Sequence, residues 1–362
     1  MTELTIELAP STSPRSAEER AAALASPGFG QVFGDHMVSA SYDRERGWHS
    51  GRLGPYAPLV LDPATSVLHY GQAIFEGLKA YRQPDGGVAL FRPELNAARF
   101  QRSARRLAMA EVPVELFLGA IQALVRADRD WVPVKPGESL YIRPLELGTD
   151  AFLGVRPSAT YRFLVFGSPA GDYFPGGLRP VSVWLSREYV RAAPGGTGEA
   201  KCAGNYAASL VAQVQAAEQG CDQVVWLDAI EHRYVEEMGG MNLYFVHADG
   251  RLLTPSLTGT LLPGVTRDSI LTLGRDLGLE VVEDRITTDE WEKGCLDGSI
   301  TEVFACGTAA VVTPVGTVKH AEGSFTVGDG EPGATTMKLR EMLLGIQQGA
   351  RPDDHGWMRR VD

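Results

Sequence analysis

Short apolar strands and amphipathic helices recur through both halves of this chain, without the strict strand–helix alternation that a doubly wound parallel sheet requires. That mixture predicts an α+β protein. Strand-like runs occupy 88–91, 139–143, 161–166, 181–185, 223–227, 243–246 and 303–305, and helical stripes occupy 94–108, 115–127, 205–219, 264–277 and 334–348. In 115–127, Leu116, Phe117, Ala120, Ile121, Leu124 and Val125 recur at the helical period. In 139–143, Tyr141 and Arg143 share one strand face, while Leu140 and Ile142 take the other. Pro93 suits the first turn of the helix it opens.

At 362 residues the chain is long enough for more than one core. Two domains are expected: a small α/β domain over 1–170 and a large one over 182–362, joined by a linker at 171–181. The linker is placed by Gly171-Asp172-Tyr173-Phe174-Pro175-Gly176-Gly177, which is dense in turn formers. Residues 1–28 hold Glu3, Glu7, Glu18 and Glu19 and no apolar signal core, and read as a flexible arm of a cytoplasmic protein. A net charge of −11 disfavours nonspecific binding to nucleic acid or to an anionic membrane, and the apolar runs are too interrupted to span one. Cys202, Cys221, Cys295 and Cys306 lack the short paired spacing of a zinc cluster or a disulfide framework, so no metal is expected.

Chemistry concentrates around Lys201, which lies among small residues with Tyr206 five positions on. An ammonium ion is unreactive, with a reference pKa of about 10.4, so a lysine nucleophile needs surroundings that favour the neutral amine or an imine. A pyridoxal phosphate cofactor on such an amine needs a carboxylate at its ring nitrogen, a donor at its ring hydroxyl and a cradle for its phosphate. Glu237, before a Gly-Gly turn, is a candidate carboxylate, though a surface glutamate beside Glu236 is equally compatible. Tyr206 is a candidate donor, although a half-buried core tyrosine is the simpler reading of that residue alone. Pro263-Gly264-Val265-Thr266 opens a helix, whose free N–H groups favour an anion. Arg99 and Thr308 are further phosphate candidates, Arg99 against a background of Arg102, Arg105 and Arg106 on the same helix. A P-loop reading of 195–202 fails at Ala200 and Cys202, where glycine and a hydroxyl residue are needed.

From about Phe29 to about Gly349 the chain resembles the branched-chain amino-acid aminotransferases, fold-type IV pyridoxal-phosphate enzymes. The resemblance is carried by Glu237, Gly239, Asn242-Leu243-Tyr244, Leu252, Thr254, Leu262, Gly264-Val265 and Arg267 at the class spacing. It is narrowed by Leu68-His69-Tyr70-Gly71-Gln72, Phe75-Glu76-Gly77-Leu78-Lys79-Ala80-Tyr81, Phe91-Arg92-Pro93 with Asn96 and Arg99, Tyr141-Ile142-Arg143-Pro144, Tyr173-Phe174-Pro175-Gly176-Gly177 and Glu302-Val303-Phe304.

The resemblance implies a two-domain fold with the cofactor at the domain interface. Lys201, carried by the large domain, would form the aldimine and move the proton between substrate Cα and cofactor C4′. Glu237 would pair with the ring nitrogen and Tyr206 with the ring hydroxyl, and Arg99, the amides of Val265 and Thr266, and Thr308 would hold the phosphate. Thr308 and Ala309, with Tyr70, would receive the substrate carboxylate, and Phe29, Phe75, Tyr141 and Tyr173 would line an aliphatic pocket edged by Arg143. The implied substrates are L-leucine, L-isoleucine, L-valine and their 2-oxo acids, with 2-oxoglutarate as acceptor. A homodimer is also implied, the loop around Gly154 and Val155 reaching the partner's pocket. D-amino-acid aminotransferase and aminodeoxychorismate lyase share the scaffold and are the rival readings. The Cys-x-x-Cys switch of some relatives is absent, its positions being Ala310 and Thr313.

Overall fold

The structure is a computed structural model and describes residues 5–171 and 178–361. It is α+β, and its Cα packing forms two compact units. One unit comprises Met1–Tyr173, Ala200–Ala203 and Gly345–Asp362, and the other comprises Phe174–Glu199 and Gly204–Leu344.

The first unit is built on a nine-stranded sheet. Its spatial order is Glu7–Leu8, Gly47–Pro55, His36–Asp43, Thr160–Ala170, Ser139–Gly148, Leu78–Arg82, Val88–Phe91 and Met358–Val361, with Ala73–Phe75 also paired to Ser139–Gly148. The helices Pro93–Arg106 and Val114–Ala127 pack on it through the apolar stripe expected of 115–127. Phe100, Phe117 and Phe163 meet at the centre, with ring centroids 5.3–6.1 Å apart. Burying such rings is the main source of stability for a layer of this kind.

Three expectations are corrected here. The segment read as a flexible arm is ordered from residue 5: Glu7–Leu8 adds a parallel edge strand to Arg52 and Leu53, and helix Ala17–Ala25 carries a complete Ser16/Glu19 capping box. Lys201, assigned by sequence to the large domain, groups with the first unit. Ile74 forms a β-bridge with Cys202, and the Phe75 N–H donates to the Lys201 carbonyl at 3.0 Å. The chain after 344 likewise belongs to the first unit, because Met358–Val361 pairs antiparallel with Val88–Phe91. The expected linker falls largely on 172–177, outside the described residues.

The second unit also holds a nine-stranded sheet. Val235–Met238, Gln223–Leu227, Val181–Ser186, Val311–His320, Ile300–Gly307 and Met241–His247 follow one another, and pairing of the first to the last closes the ring. Closure removes the exposed edges of these strands. The helix expected over 205–219 is two, Ala203–Ala207 and Leu210–Glu218, because Ser209 Oγ donates to the Tyr206 carbonyl at 2.7 Å in competition with the helical ladder. Among the described residues no helix is long and apolar enough to cross a membrane, and no group of three or more His, Cys, Asp or Glu is placed to hold a metal.

Glu146 departs from the core pattern. It is fully buried on the core face of Ser139–Gly148, opposite Ile74 and Phe163, and neither carboxyl oxygen has a hydrogen-bond partner among the described residues. Burial raises its pKa well above the usual 4.5. The folded state therefore retains a proton that the unfolded chain releases, so stability falls as pH rises above 4.5 toward the folded value. Glu146→Met, similar in volume and without charge, should raise the thermal midpoint, by about 2–4 °C for each kcal/mol relieved. The gain should be larger near about pH 8 than near about pH 5. An equal gain at both pH values would contradict the protonation argument.

Candidate active site

Within the first unit, the Lys201 segment is held through its main chain. Besides the bond to Phe75, the Lys201 N–H donates to Ser103 Oγ at 2.9 Å. The side chain carries its Nζ to 5.0 Å from the centroid of the Phe75 ring. The same ring receives the Arg143 guanidinium at 4.6 Å, and Arg143 Nη2 donates to Tyr141 Oη at 3.3 Å. Phe29 completes the group, edge-on to Tyr141 at 5.0 Å. Tyr141 and Arg143 do share a strand face, as alternation requires, and Gly77 is needed beside them because a Cβ there would overlap the Tyr141 hydroxyl. The structure thus brings Phe29, Phe75, Tyr141, Arg143 and Lys201 together. Tyr70 lies apart from this group of contacts. It is partly exposed, donates to the Leu153 carbonyl and tilts against Phe152 at 6.2 Å.

Arg99 is buried on helix Pro93–Arg106, and its Nε and Nη2 donate to Glu76 Oε1 and Oε2 at 2.6 and 2.8 Å. Asn96, one turn earlier on the same helix, donates to Glu76 Oε2 at 2.8 Å. Burial alone would raise the Glu76 pKa. The charge and hydrogen bonds of Arg99, the charge of Lys201 and the Asn96 bond outweigh it, and hold the carboxyl below its ordinary value.

Within the second unit, Glu237 sits on Val235–Met238 with Trp226 and Asn242 as its cross-strand neighbours, and is only 2% exposed. Its Oε1 accepts from the Leu262 N–H at 2.6 Å and from Asn242 Nδ2 at 3.3 Å, and Arg191 Nε approaches Oε2 to 3.0 Å. That last contact is an ion pair without hydrogen-bond alignment. Arg191 is itself anchored through Nη2 to the carbonyls of Gly198 and Thr260. The surface alternative for Glu237 is thereby excluded. Tyr206, on Ala203–Ala207 and 36% exposed, lies against the turn after Glu237, where a Cβ on Gly240 would sit 3.6 Å from its ring.

Helix Val265–Asp276 begins at Gly264 without a side-chain cap, and Val265 and Thr266 form its buried first turn. Gly264 must be glycine, since a Cβ would collide with Asn242 Oδ1. Arg267, by contrast, is structural: Nη2 donates to the Pro255 carbonyl and to Glu283 Oε2 at 3.0 and 2.7 Å. Thr308 and Ala309 lie in the turn between strands Ile300–Gly307 and Val311–His320. Tyr173 falls outside the described residues.

Sequence reasoning missed Arg191, which lies in a stretch with neither periodicity nor motif, and gave Glu76 no role although it sits inside a quoted motif. Replacing Arg191 by Leu should destabilise the protein by about 3–5 kcal/mol, because Glu237 would stay buried without its counter-charge. Urea unfolding should recover much of that loss in Arg191→Leu/Glu237→Gln. Additive losses would mean that the two residues do not interact.

Residues 73–318 match the family described as amino-transferase class IV. The probable branched-chain-amino-acid aminotransferase of Streptomyces coelicolor is 60% identical over 362 residues, covering all of both chains. Among solved structures, the Escherichia coli branched-chain amino acid aminotransferase superposes with a TM-score of 0.76 at 28% identity, covering 91% of this chain and 99% of that one. The T.th. branched-chain amino acid aminotransferase complexed with N-(5′-phosphopyridoxyl)-L-glutamate gives 0.74 at 32% identity, covering 90% and 99%. The chain belongs to the class IV aminotransferases, a pyridoxal-phosphate-dependent family, and within them to the branched-chain-amino-acid aminotransferases.

Proposed function

We propose that this enzyme transfers the amino group of L-leucine, L-isoleucine or L-valine reversibly to 2-oxoglutarate, using pyridoxal 5′-phosphate carried on Lys201. The products are the branched 2-oxo acid and L-glutamate. The observation that carries this reading is the Phe75 ring with both Lys201 Nζ and the Arg143 guanidinium on it, beside Phe29 and Tyr141. Aromatic faces suit an aliphatic side chain, while the adjacent guanidinium suits the γ-carboxylate of glutamate. One wall then serves both halves of the exchange. The phosphopyridoxyl-L-glutamate complex of the T.th. relative supports glutamate as the acidic partner. Pockets of this kind separate side chains differing by one methylene by only about 1–3 kcal/mol, so all three aliphatic substrates should be accepted.

Each unit offers donors of the kind the cofactor needs. Glu237 offers a buried carboxylate for the ring nitrogen, the uncapped helix start at Val265 and Thr266 offers amides for the phosphate, and Arg99 offers a buried cation. Tyr206 would meet the ring hydroxyl and Thr308 the phosphate. Once bound, the cofactor supplies an electron sink beside the substrate Cα. The protein supplies the rest. Lys201 Nζ would accept the proton that leaves the substrate Cα and hand it back in the reverse direction, as a positioned amine can. Glu237 would hold the ring nitrogen and favour its protonated form. Thr308 and Ala309, with Tyr70, would orient the substrate carboxylate. The active form is a homodimer, with the loop around Gly154 and Val155, which exposes the apolar Leu153 and Val155, turned to the second copy.

A visible spectrum of the purified protein tests cofactor, donor and acceptor together. L-leucine should discharge the yellow band and 2-oxoglutarate should restore it, whereas D-alanine and aminodeoxychorismate should leave it unchanged. Lys201→Ala should lose the band and at least about a thousandfold of the turnover. Full activity in that variant would refute the mechanism.

A further inference from the structure

The geometry points to Glu76 as a positioning residue that pre-orients Arg99 for the cofactor phosphate. The inference rests on the reading that Arg99 holds that phosphate. Glu76 follows the short strand Ala73–Phe75, and its side chain is 0% exposed, against 4% for Arg99. Backbone and carboxylate are both tied locally: the Glu76 N–H donates to the Pro144 carbonyl at 2.8 Å and the Gly77 N–H donates to Glu76 Oε2 at 3.1 Å. The carboxylate therefore has one place to be. From there it engages both Nε and Nη2 of Arg99, a two-point contact that fixes the plane of the guanidinium as well as its distance. Asn96 closes the other side of Oε2.

Two opposed effects follow from that arrangement. A carboxylate beside the phosphate arginine opposes a bound dianion by charge, and by this effect alone its removal would tighten phosphate binding. The same carboxylate removes the rotational freedom that a long arginine side chain would otherwise lose on binding, which favours phosphate. In a buried site the ordered guanidinium wins, because without Glu76 its Nε and Nη2 would lack these partners and turn toward other acceptors. The carboxylate also faces Lys201, whose charge helps hold Glu76 below its ordinary pKa.

The test compares pyridoxal 5′-phosphate with pyridoxal, which lacks the phosphate, by titration into the cofactor-stripped full-length protein. The readout is the ratio of the two affinities, which a general loss of stability would not move. Glu76→Gln should lower the preference for the phosphorylated form by about tenfold, as loss of a supporting charge-assisted contact predicts. Arg99→Gln should lower it at least as much, and the double variant no further than Arg99→Gln alone. Should Glu76→Gln not fold, Glu76→Asp keeps the charge but shortens the reach, and should show the same loss of preference. A preference that is kept or increased in the Glu76 variant overturns the inference. A preference unaffected by Arg99→Gln instead overturns the assignment of Arg99 to the phosphate.

Discussion

Lys201 owes its position to main-chain bonds formed with residues about a hundred or more positions earlier in the chain. The Phe75 N–H meets the Lys201 carbonyl, Ile74 bridges to Cys202, and Ser103 accepts the Lys201 N–H. Because the segment is held by its backbone, its placement does not depend on the amine. The strand Ala73–Phe75 is in turn paired to Ser139–Gly148, the strand that carries Tyr141 and Arg143. A single run of sheet hydrogen bonds therefore sets the spacing of the amine, the aromatic wall and the cation. Sheet spacing is stiff, which is what a site relying on near-attack geometry needs.

Buried charge is organised in the same way in each unit. In the first, Glu76 faces Arg99 and Lys201; in the second, Glu237 faces Arg191. Buried pairs of this kind contribute little net stability compared with apolar residues of equal volume, and breaking one is costly. Their presence is better explained by the need for charges held at fixed points. Glu146 makes the contrast plain, being equally buried on the core face with no partner at either oxygen among the described residues, and its pKa is raised by that burial.

Much of the fold could be read from local pattern. The stripe over 115–127 became Val114–Ala127, the run at 223–227 matched its strand, and Pro93 does open its helix. Boundaries moved where a side chain intervened, as at Ser209, whose hydroxyl breaks one expected helix into two. The arm at 1–28 was misread because its ordering comes from a pairing with Arg52 and Leu53 and from a capping box, neither visible as hydrophobic periodicity. Of the candidate site residues, those inside motifs were legible, while Arg191 was not, because its significance lies only in what it touches.

Residue order alone carried the period of each element, the turn formers and the spacing of the motif residues, since these depend on neighbours within a few positions. It therefore carried the α+β class and the aminotransferase family. Which unit receives Ala200–Ala203 and the chain after 344, and which arginine neutralises which buried glutamate, were decided by three-dimensional packing. Those outcomes turn on hydrogen bonds and desolvation among residues far apart in the chain. No short-range pattern encodes the cost of leaving such partners unpaired.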